Sequence, residues 1–520
     1  MELMISVLAH GLKEVEISKA RYKASIRQLA LDKAHKQFQG LSAQNLADIP
    51  ELPYWIIGAF ESYFFKVAIP HFLNQKYLGG EVTNHNFEKS KILESKSSDS
   101  AQSRNVAKKK FLELREYISA ILVSVLSLIW IRYLEIKTGK KAIGIFIGTA
   151  QNSSFEQDFR YGNLIPLLKA KDLPVVLLVR STKAVLKDFI TRRQPSIHIN
   201  ILHDSVRLKR DEYKLDLGIF KEELFFNELK FYIKRKWILW LLKRFKIKAA
   251  YVANLSGRTA TTTMYLKSIG VKIVGSQHAP SMPAHSPCEF LPSGILHTKD
   301  GECLGPDVMG AFGDYWLNLL RKSSPSIYRE VELSGPLNLQ TNLASRDRSS
   351  RYVLLLDEAL VDLDSLLPFL EKILEKYTLK IKTRPQGPNF ILKLLDSKFP
   401  HIINHPRFDA TPIQVSNNAL ESNMSAVICT YTSAGIELAA AGFPVIYLNT
   451  NIWGDVYEIE NLQNKYSNLK FVKLPTLLNS EIASSLPLHN KQAINDFQQE
   501  YFANKSGVSW LISKLTSVPE

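Results

Sequence analysis

"VICTYTSAGIELAAAGFPVIYLN", residues 427–449, is the stretch that decides the fold. An apolar run, Val427–Cys429, leads into a small polar turn, Thr430–Ser433, and then into a helical run of small residues. A second apolar run, 445–448, begins directly after a Gly-Phe-Pro turn. This succession of strand, turn, helix and strand predicts one βαβ unit with two parallel strands.

The same alternation extends in both directions along the chain. From Lys140 onward, apolar runs such as "KAIGIFIGTA" and "LPVVLLV" are separated by helical segments, and a second series with "YVLLLDE" and "LKIKTRP" follows the polar stretch 342–351. Such alternation is typical of doubly wound parallel sheets. The sequence therefore predicts an α/β protein of two tandem Rossmann-like domains, 139–340 and 341–520. Residues 1–138 are predicted as a helical N-terminal extension with a flexible linker near 85–110.

Composition limits the class of protein. With 45% hydrophobic and 22% charged residues, the 520-residue chain is globular rather than disordered. Three cysteines exclude a disulfide framework and favour a reducing compartment, and the N-terminal residues lack the pattern of a signal peptide. A net charge of +16 indicates an anionic partner.

The opening turn is a candidate anion-binding site. Thr432, Ser433 and Gly435 are predicted at a helix N-terminus, where hydroxyls and backbone N–H groups receive phosphates. Glu437, one turn into the helix, is placed to accept hydrogen bonds from ribose or sugar hydroxyls. The alternative is an ordinary N-cap followed by a glycine that packs the helix.

Two cations are predicted at the same edge of the sheet. "IKTRPQGP" ends a strand with Lys382 and Arg384, and in open α/β sheets the carboxyl ends of the strands meet at the ligand-binding crevice. Cations beside a helix N-terminus suit a pyrophosphate or another nucleotide phosphate. These residues therefore favour the binding interpretation of the turn.

The turn carries a resemblance to a known enzyme class. "YTSAGIELAAAGFPVI" resembles the donor-binding signature of GT-B glycosyltransferases, and more narrowly the turn of CMP-sugar (Kdo and polysialyl) transferases and of CDP-glycerol glycerophosphotransferases. "VGSQHAPSMPAH" resembles the G-x-Q-H-G turn of surface-carbohydrate biosynthesis proteins. The chain departs from these patterns at Arg384-Pro385, where the families have His-Pro, and at Ala279, where they have Gly. The resemblance implies a GT-B fold and inverting, metal-independent sugar transfer.

The acceptor side has its own candidates. His278 is predicted at the end of a strand, where a group of near-neutral pKa is able to deprotonate an acceptor hydroxyl. Asp158, with Glu156 behind it, follows the first strand of the domain, where GT-B enzymes commonly carry their base. A structural histidine and a helix cap are the alternatives. We expect no bound metal, because the histidines and cysteines between 278 and 303 lack paired zinc-ligand spacing. We also expect no cofactor, because the resemblance makes the nucleotide-sugar donor a substrate.

Two segments are candidates for membrane contact. Lys230–Lys248 carries eight Lys or Arg residues interleaved with aromatics, which suits an anionic membrane surface. An amphipathic helix that packs on the protein core is the alternative; nucleic acid ranks below, since no recognised nucleic-acid-binding motif accompanies the charge. The apolar stretch Tyr117–Ile131 is shorter than the roughly 20 residues that span a bilayer, which favours a buried or interfacial helix over a membrane span.

The leading hypothesis is a glycosyltransferase for bacterial surface polysaccharide. It would move a sugar from a nucleotide-activated donor, preferably a CMP-sugar, to a glycan or lipid-linked acceptor on the cytoplasmic face of the plasma membrane. A CDP-glycerol-type polyol-phosphate transferase would use the same pocket. A catalytically degenerate GT-B unit that scaffolds a polysaccharide assembly complex is the non-enzymatic alternative.

Overall fold

A computed structural model describes the protein over most of its two sheets. The described residues are 99–147, 163–179, 189–190, 194–198, 243–253, 263, 266–267, 269–277, 305–323, 328–337, 352–358, 363–383, 391–413, 420, 424–448, 457–472 and 490–517. These ranges contain two separate parallel sheets and the helices that pack on them. The predicted fold class, two tandem doubly wound Rossmann-like domains, is confirmed.

The first sheet has seven described strands in the order β3-β2-β1-β4-β5-β6-β7. Its strands are β1 Ile143–Ile147, β2 Val175–Val179, β3 Ser196–His198, β4 Ala249–Val252, β5 Lys272–Ser276, β6 Val308–Ala311 and β7 Glu330–Leu333. All described pairings are parallel. The apolar residues are buried on both faces, which explains why these strands are near-continuous hydrophobic runs in the sequence.

The second sheet has six described strands in the order β10-β9-β8-β11-β12-β13. They are β8 Tyr352–Leu356, β9 Thr378–Lys382, β10 Phe408–Ile413, β11 Ala426–Cys429, β12 Val445–Leu448 and β13 Leu469–Val472. Renumbered within the domain, this is the 3-2-1-4-5-6 order of the nucleotide-binding Rossmann fold. The order reverses between β8 and β11, which is the point where such sheets bind ligands.

The described helices surround both sheets. They are α1 Asp99–Thr138, α2 Leu164–Lys169, α3 Asp314–Ser323, α4 Leu363–Lys376, α5 Ile391–Lys398, α6 Pro400–Ile403, α7 Ser433–Ala440, α8 Ile459–Leu462, α9 Lys491–Tyr501 and α10 Gly507–Thr516. Helix α1 begins within the segment predicted as a linker, which is a correction. Residues 99–138 contain no Gly or Pro, so nothing in them interrupts a helix.

The basic-aromatic segment Lys230–Lys248 is described only from Lys243 onward. Its described helical part ends at Phe245, Lys246 adopts a left-handed conformation with φ 47°, and the chain enters β4 at Ala249. Phe245, one of the aromatic residues of this segment, is fully buried in one cluster with Ile131 of α1. At this end of the segment the apolar face therefore packs on the protein core.

The last helix returns to the first domain. Val508, Leu511 and Leu515 of α10 lie in the same hydrophobic cluster as β1, β2 and α2. Helix α9 packs between α3 of the first domain and α7 of the second. The predicted division at residue 341 places both helices in the second domain, but the packing assigns α10 to the core of the first. Within the described part of the chain, no helix combines the length and hydropathy of a membrane span.

Candidate functional site

The switch point of the second sheet joins the carboxyl end of β8 to the turn between β11 and α7. The opening motif folds as the sequence predicts: β11 ends at Cys429, and Thr432 is the N-cap of α7. The Thr432 side chain accepts a hydrogen bond from the Ala434 N–H at 3.3 Å. A hydroxyl at this position stabilises the helix start because it satisfies one of the unpaired N–H groups.

A buried carboxylate that sequence reasoning did not select occupies the turn. Glu358, two residues after β8, accepts hydrogen bonds from the backbone N–H groups of Thr430 at 2.6 Å, Tyr431 at 2.8 Å and Thr432 at 2.6 Å. The Thr430 hydroxyl lies 3.1 Å from the same carboxylate. The three successive amides form an anion-binding concavity, and a side chain of the protein itself fills it.

Burial of Glu358 affects its ionisation. The side chain is 2% exposed, and burial raises the pKa of the carboxyl from 4.5 to about 7. The hydrogen bonds from Tyr431, Thr430 and Thr432 lower this pKa and limit the rise. The switch point therefore holds a carboxyl group whose charge changes near neutral pH.

Gly435 serves the packing of α7. A Cβ at this position would lie 2.6 Å from the Cys429 sulfur, and it would overlap the Tyr447 hydroxyl as well. Tyr447 is buried and donates a hydrogen bond to the Thr432 carbonyl at 2.9 Å. The missing side chain thus lets α7 approach β11 and β12, as the helix-packing interpretation of this glycine requires.

Lys382 lies on the same side of the sheet as α7. In the register of the sheet Lys382 is opposite Leu356, and Leu355 is opposite Ile428, so one row joins Lys382, Leu356 and Cys429. Two strand spacings separate the Cα atoms of Lys382 and Cys429 by about 10 Å. Lys382 is only 9% exposed. A buried cation therefore lies within side-chain reach of the crevice beside the turn.

Ser433, Glu437 and Tyr457 meet at the start of α7. Burial, followed by the nearby charge of Glu437, raises the pKa of the Tyr457 phenol well above its ordinary value of 10, and Ser433 lies close enough to lower it in turn. No described residue gives the Tyr457 hydroxyl a hydrogen bond of ordinary length and angle, although the side chain is only 6% exposed. An unpaired polar atom this deeply buried is uncommon, and a bound ligand is one way to satisfy it.

Two further polar groups line the carboxyl edge of β8 and β9. Asp357 accepts a hydrogen bond at 2.6 Å from the N–H of Ile391, the first residue of α5. Thr383 is fully buried, and its hydroxyl has no partner among the described residues. The acid pair 357–358 directly follows the buried run "YVLLL", and this is the one weak feature of the sequence that indicates a carboxylate at this place.

The other predicted site residues lie outside the described residues. These are Asp158, Glu156 and His278 on the acceptor side and Arg384 on the donor side. The neighbour of His278, Gln277, is described: it is buried, and its side-chain oxygen accepts a hydrogen bond from the Phe312 N–H at 2.8 Å. The proposed acceptor-side roles stay predictions.

The described residues favour an anion over a cation as the ligand of this crevice. A helix N-terminus and a buried lysine lie on the same side of the sheet near the switch point, and each interacts favourably with phosphate oxygens. Among the residues that the structure describes, no three His, Cys, Asp or Glu side chains form a group suited to a metal ion.

Comparison with known proteins gives similarity in structure alone. No protein-family model matches the chain, and no curated protein is significantly similar in sequence. The solved structure of MurG from Acinetobacter baumannii is 11% identical, with a TM-score of 0.40, over 72% of this chain and 99% of that chain. UDP-GlcNAc 2-epimerase from Neisseria meningitidis bound to UDP-GlcNAc is 13% identical, with a TM-score of 0.43, over 72% of this chain and 99% of that chain. The glycotransferase of kitacinnamycin is 9% identical, with a TM-score of 0.42, over 73% of this chain and 100% of that chain. The strand orders of the two sheets, rather than these low scores, establish the fold.

Proposed function

We propose that this chain is a glycosyltransferase that uses a nucleotide-activated sugar and binds the donor at the switch point of the second sheet. One observation carries the proposal: the buried hydroxyl of Tyr457, which no described residue gives a hydrogen bond of ordinary length and angle, lies beside Ser433 at the first turn of α7. Lys382 lies on the same side of the sheet. An anionic oxygen at this place would receive hydrogen bonds from both hydroxyls and charge compensation from the lysine and the helix N-terminus.

Glu358 has a positioning role in this proposal. Its carboxylate already satisfies the amides of Thr430, Tyr431 and Thr432. The phosphate of the sugar donor is therefore assigned to the next group of hydrogen-bond donors, at Ser433 and the first turn of α7. The turn is held in its binding conformation before the donor arrives, which lowers the ordering cost of binding.

Transfer itself needs charge stabilisation on the donor side and a base on the acceptor side. As the glycosidic bond to the donor breaks, negative charge grows on the leaving phosphate, and Lys382, the predicted partner Arg384 and the helix N-terminus would stabilise it. Asp158 or His278 would remove the proton from the acceptor hydroxyl, and Glu156 is the alternative candidate for this base. Glu437 would bind ribose or sugar hydroxyls. A CMP-linked sugar and a surface polysaccharide acceptor remain the preferred substrates, on the resemblance of the turn.

Tyr457→Phe tests the donor site with little structural change. Since no described residue gives the lost hydroxyl a hydrogen bond of ordinary length and angle, the melting temperature should change little, whereas calorimetric affinity for the best of CMP, CDP, UDP and GDP should drop about tenfold or more. Lys382→Met should weaken the same nucleotide. Its matched control is Lys380→Met, on the same face of the same strand, where the amine lies 3.9 Å from Asp409. If Tyr457→Phe and Lys382→Met leave affinity unchanged while a nucleotide still binds, the pocket lies elsewhere.

A scaffold without catalysis is the second candidate. Its support is specific: a carboxylate of the protein fills the anion-binding amides of the turn, as in a site that has lost its ligand. In that case none of the four nucleotides would raise the melting temperature at millimolar concentration. A clear shift with any of them removes this candidate.

A further inference from the structure

Helix α1 presents a continuous apolar stripe to solvent. Its exposed large apolar side chains are Ile118, Leu122, Val125, Leu126, Ile129, Tyr133 and Ile136. At 3.6 residues per turn these seven positions fall within an arc of about 100° and extend for about 27 Å along the helix. Ile129 is 62% exposed and Ile136 is 84% exposed, so the described residues leave the stripe uncovered.

The opposite side of the same helix is fixed to the first domain. Val123, Ser127 and Ile131 are fully buried, and the Ser127 hydroxyl accepts a hydrogen bond from the N–H of Ser196 in β3 at 2.9 Å. Glu135 is buried as well and binds both Arg132 and the N–H of Ala142. Among the described residues, the stripe is therefore the outer surface of a helix whose other side is docked on the first domain.

Basic residues lie near the C-terminal end of the stripe. The exposed ones on α1, on the residues that follow it and on the segment that contacts it are Lys137, Lys140, Lys141, Lys243, Arg244 and Lys246. One contact brings the segment 243–246 beside α1: Arg132 donates a hydrogen bond to the Arg244 carbonyl. The charge thus lies beside the apolar surface.

We propose that this stripe and its basic border dock the protein on an anionic membrane surface, with α1 lying in the plane of the headgroups. Apolar side chains on one face and Lys or Arg beside them are the features of interfacial helices. The Trp130 and Tyr133 rings, 5.7 Å apart, add aromatic side chains of the kind enriched at the headgroup level. The occupant follows from charge complementarity, since anionic lipids attract nearby Lys and Arg side chains. This inference does not depend on the proposed activity.

Vesicle sedimentation tests the proposal on the full chain. We expect binding to vesicles of phosphatidylcholine with 30% phosphatidylglycerol and at least tenfold weaker binding to phosphatidylcholine alone. Raising the salt from 0.1 to 1 M shortens the screening length from about 10 to about 3 Å and should release much of the protein. The triple variant Leu122→Ser, Val125→Ser, Ile129→Ser should lose binding at least tenfold and keep the circular dichroism spectrum of the wild type.

A matched pair of charge variants isolates the basic border. The first triple variant, which should abolish binding, is Lys137→Glu, Lys141→Glu, Lys243→Glu. The control has the same change in net charge at exposed positions elsewhere and should retain binding; it is Lys376→Glu, Lys398→Glu, Lys491→Glu. Equal loss in both variants, equal binding to both vesicle types, or no binding would overturn the proposal. Light scattering covers the other occupant: a dimer that the serine variant dissociates, without vesicle binding by the wild type, assigns the stripe to a second copy of the chain.

Discussion

Replacing Glu358 with glutamine should change how stability depends on pH. The folded protein holds the proton of this carboxyl up to a pKa of about 7, whereas the ordinary value is 4.5. Between these two values the unfolded chain releases its proton first, so the contribution of Glu358 to stability is fully present below pH 4.5 and is lost as pH rises through 7. Since each pKa unit is worth about 1.4 kcal/mol, the full loss is about 3 kcal/mol.

Glu358→Gln removes this titration. At pH 5 part of the contribution is already lost, so between pH 5 and pH 8 the wild type should lose about 2–3 kcal/mol more unfolding free energy than the variant does. Glutamine also places an NH₂ group against amide donors, and an unsatisfied Thr430 N–H would cost the variant about 1–3 kcal/mol at every pH. Comparing the pH changes, rather than the absolute values, separates the two effects.

Urea unfolding followed by circular dichroism provides the measurement. Wild type, Glu358→Gln and Glu375→Gln are compared at pH 5 and pH 8; Glu375 is an exposed glutamate on α4, and its variant should follow the wild type. Parallel changes in the wild type and Glu358→Gln would refute the reasoning. So would a wild type that gains stability relative to Glu358→Gln as pH rises, because the four hydrogen bonds would then outweigh burial.

Two other changes test the packing of α7 and the acceptor side. Gly435→Ala should destabilise the protein by about 1–3 kcal/mol in urea unfolding, because its Cβ would meet the Cys429 sulfur and the Tyr447 hydroxyl; an unchanged midpoint would contradict the packing role. Asp158→Asn and His278→Ala should each lower turnover about 100-fold or more in a transfer assay and leave nucleotide affinity nearly unchanged. If neither slows transfer, the base is another residue.

The fold followed from the sequence because each element carries its own local signal. The apolar runs around Val427 and Val445 and the polar turn between them predict β11, α7 and β12, and the structure places them there. Thr432 has the residue type of an N-cap and is one. Such signals depend on a few adjacent residues, so they need no knowledge of tertiary contacts.

Glu358 had no local signal of comparable strength. Its partners lie 72 to 74 residues further along the chain, and only the reversal of strand order brings the end of β8 beside the turn after β11. An acid pair after a buried strand is compatible with a surface loop as well as with a site. The sequence thus shows the residue type but not the amides that it binds.

Amphipathic patterns show which residues share a face but not what that face contacts. Phe245 belongs to a basic-aromatic run that resembles a membrane-surface helix, yet the ring is buried against the first domain. The apolar stretch 117–131 has two faces with different surroundings. Val123, Ser127 and Ile131 are buried on the first domain, and the stripe is exposed. The helical spacing of apolar residues alone does not distinguish a face that packs on the protein core from one that contacts lipid, because apolar side chains are favourable in both places.

The opening turn can be both a structural helix start and an anion-binding site, because the two interpretations concern different hydrogen-bond donors. The amides of Thr430, Tyr431 and Thr432 belong to Glu358, so the turn keeps its shape and satisfies its buried polar groups without a ligand. In the proposed function, the first turn of α7, with Ser433 and the nearby Tyr457 hydroxyl, is the adjoining place where the phosphate of the sugar donor would bind. A donor bound there leaves the carboxylate in place, and its negative charge would in turn favour the protonated form of Glu358. The residue that fixes the turn would then also adjust the charge beside the leaving phosphate near neutral pH.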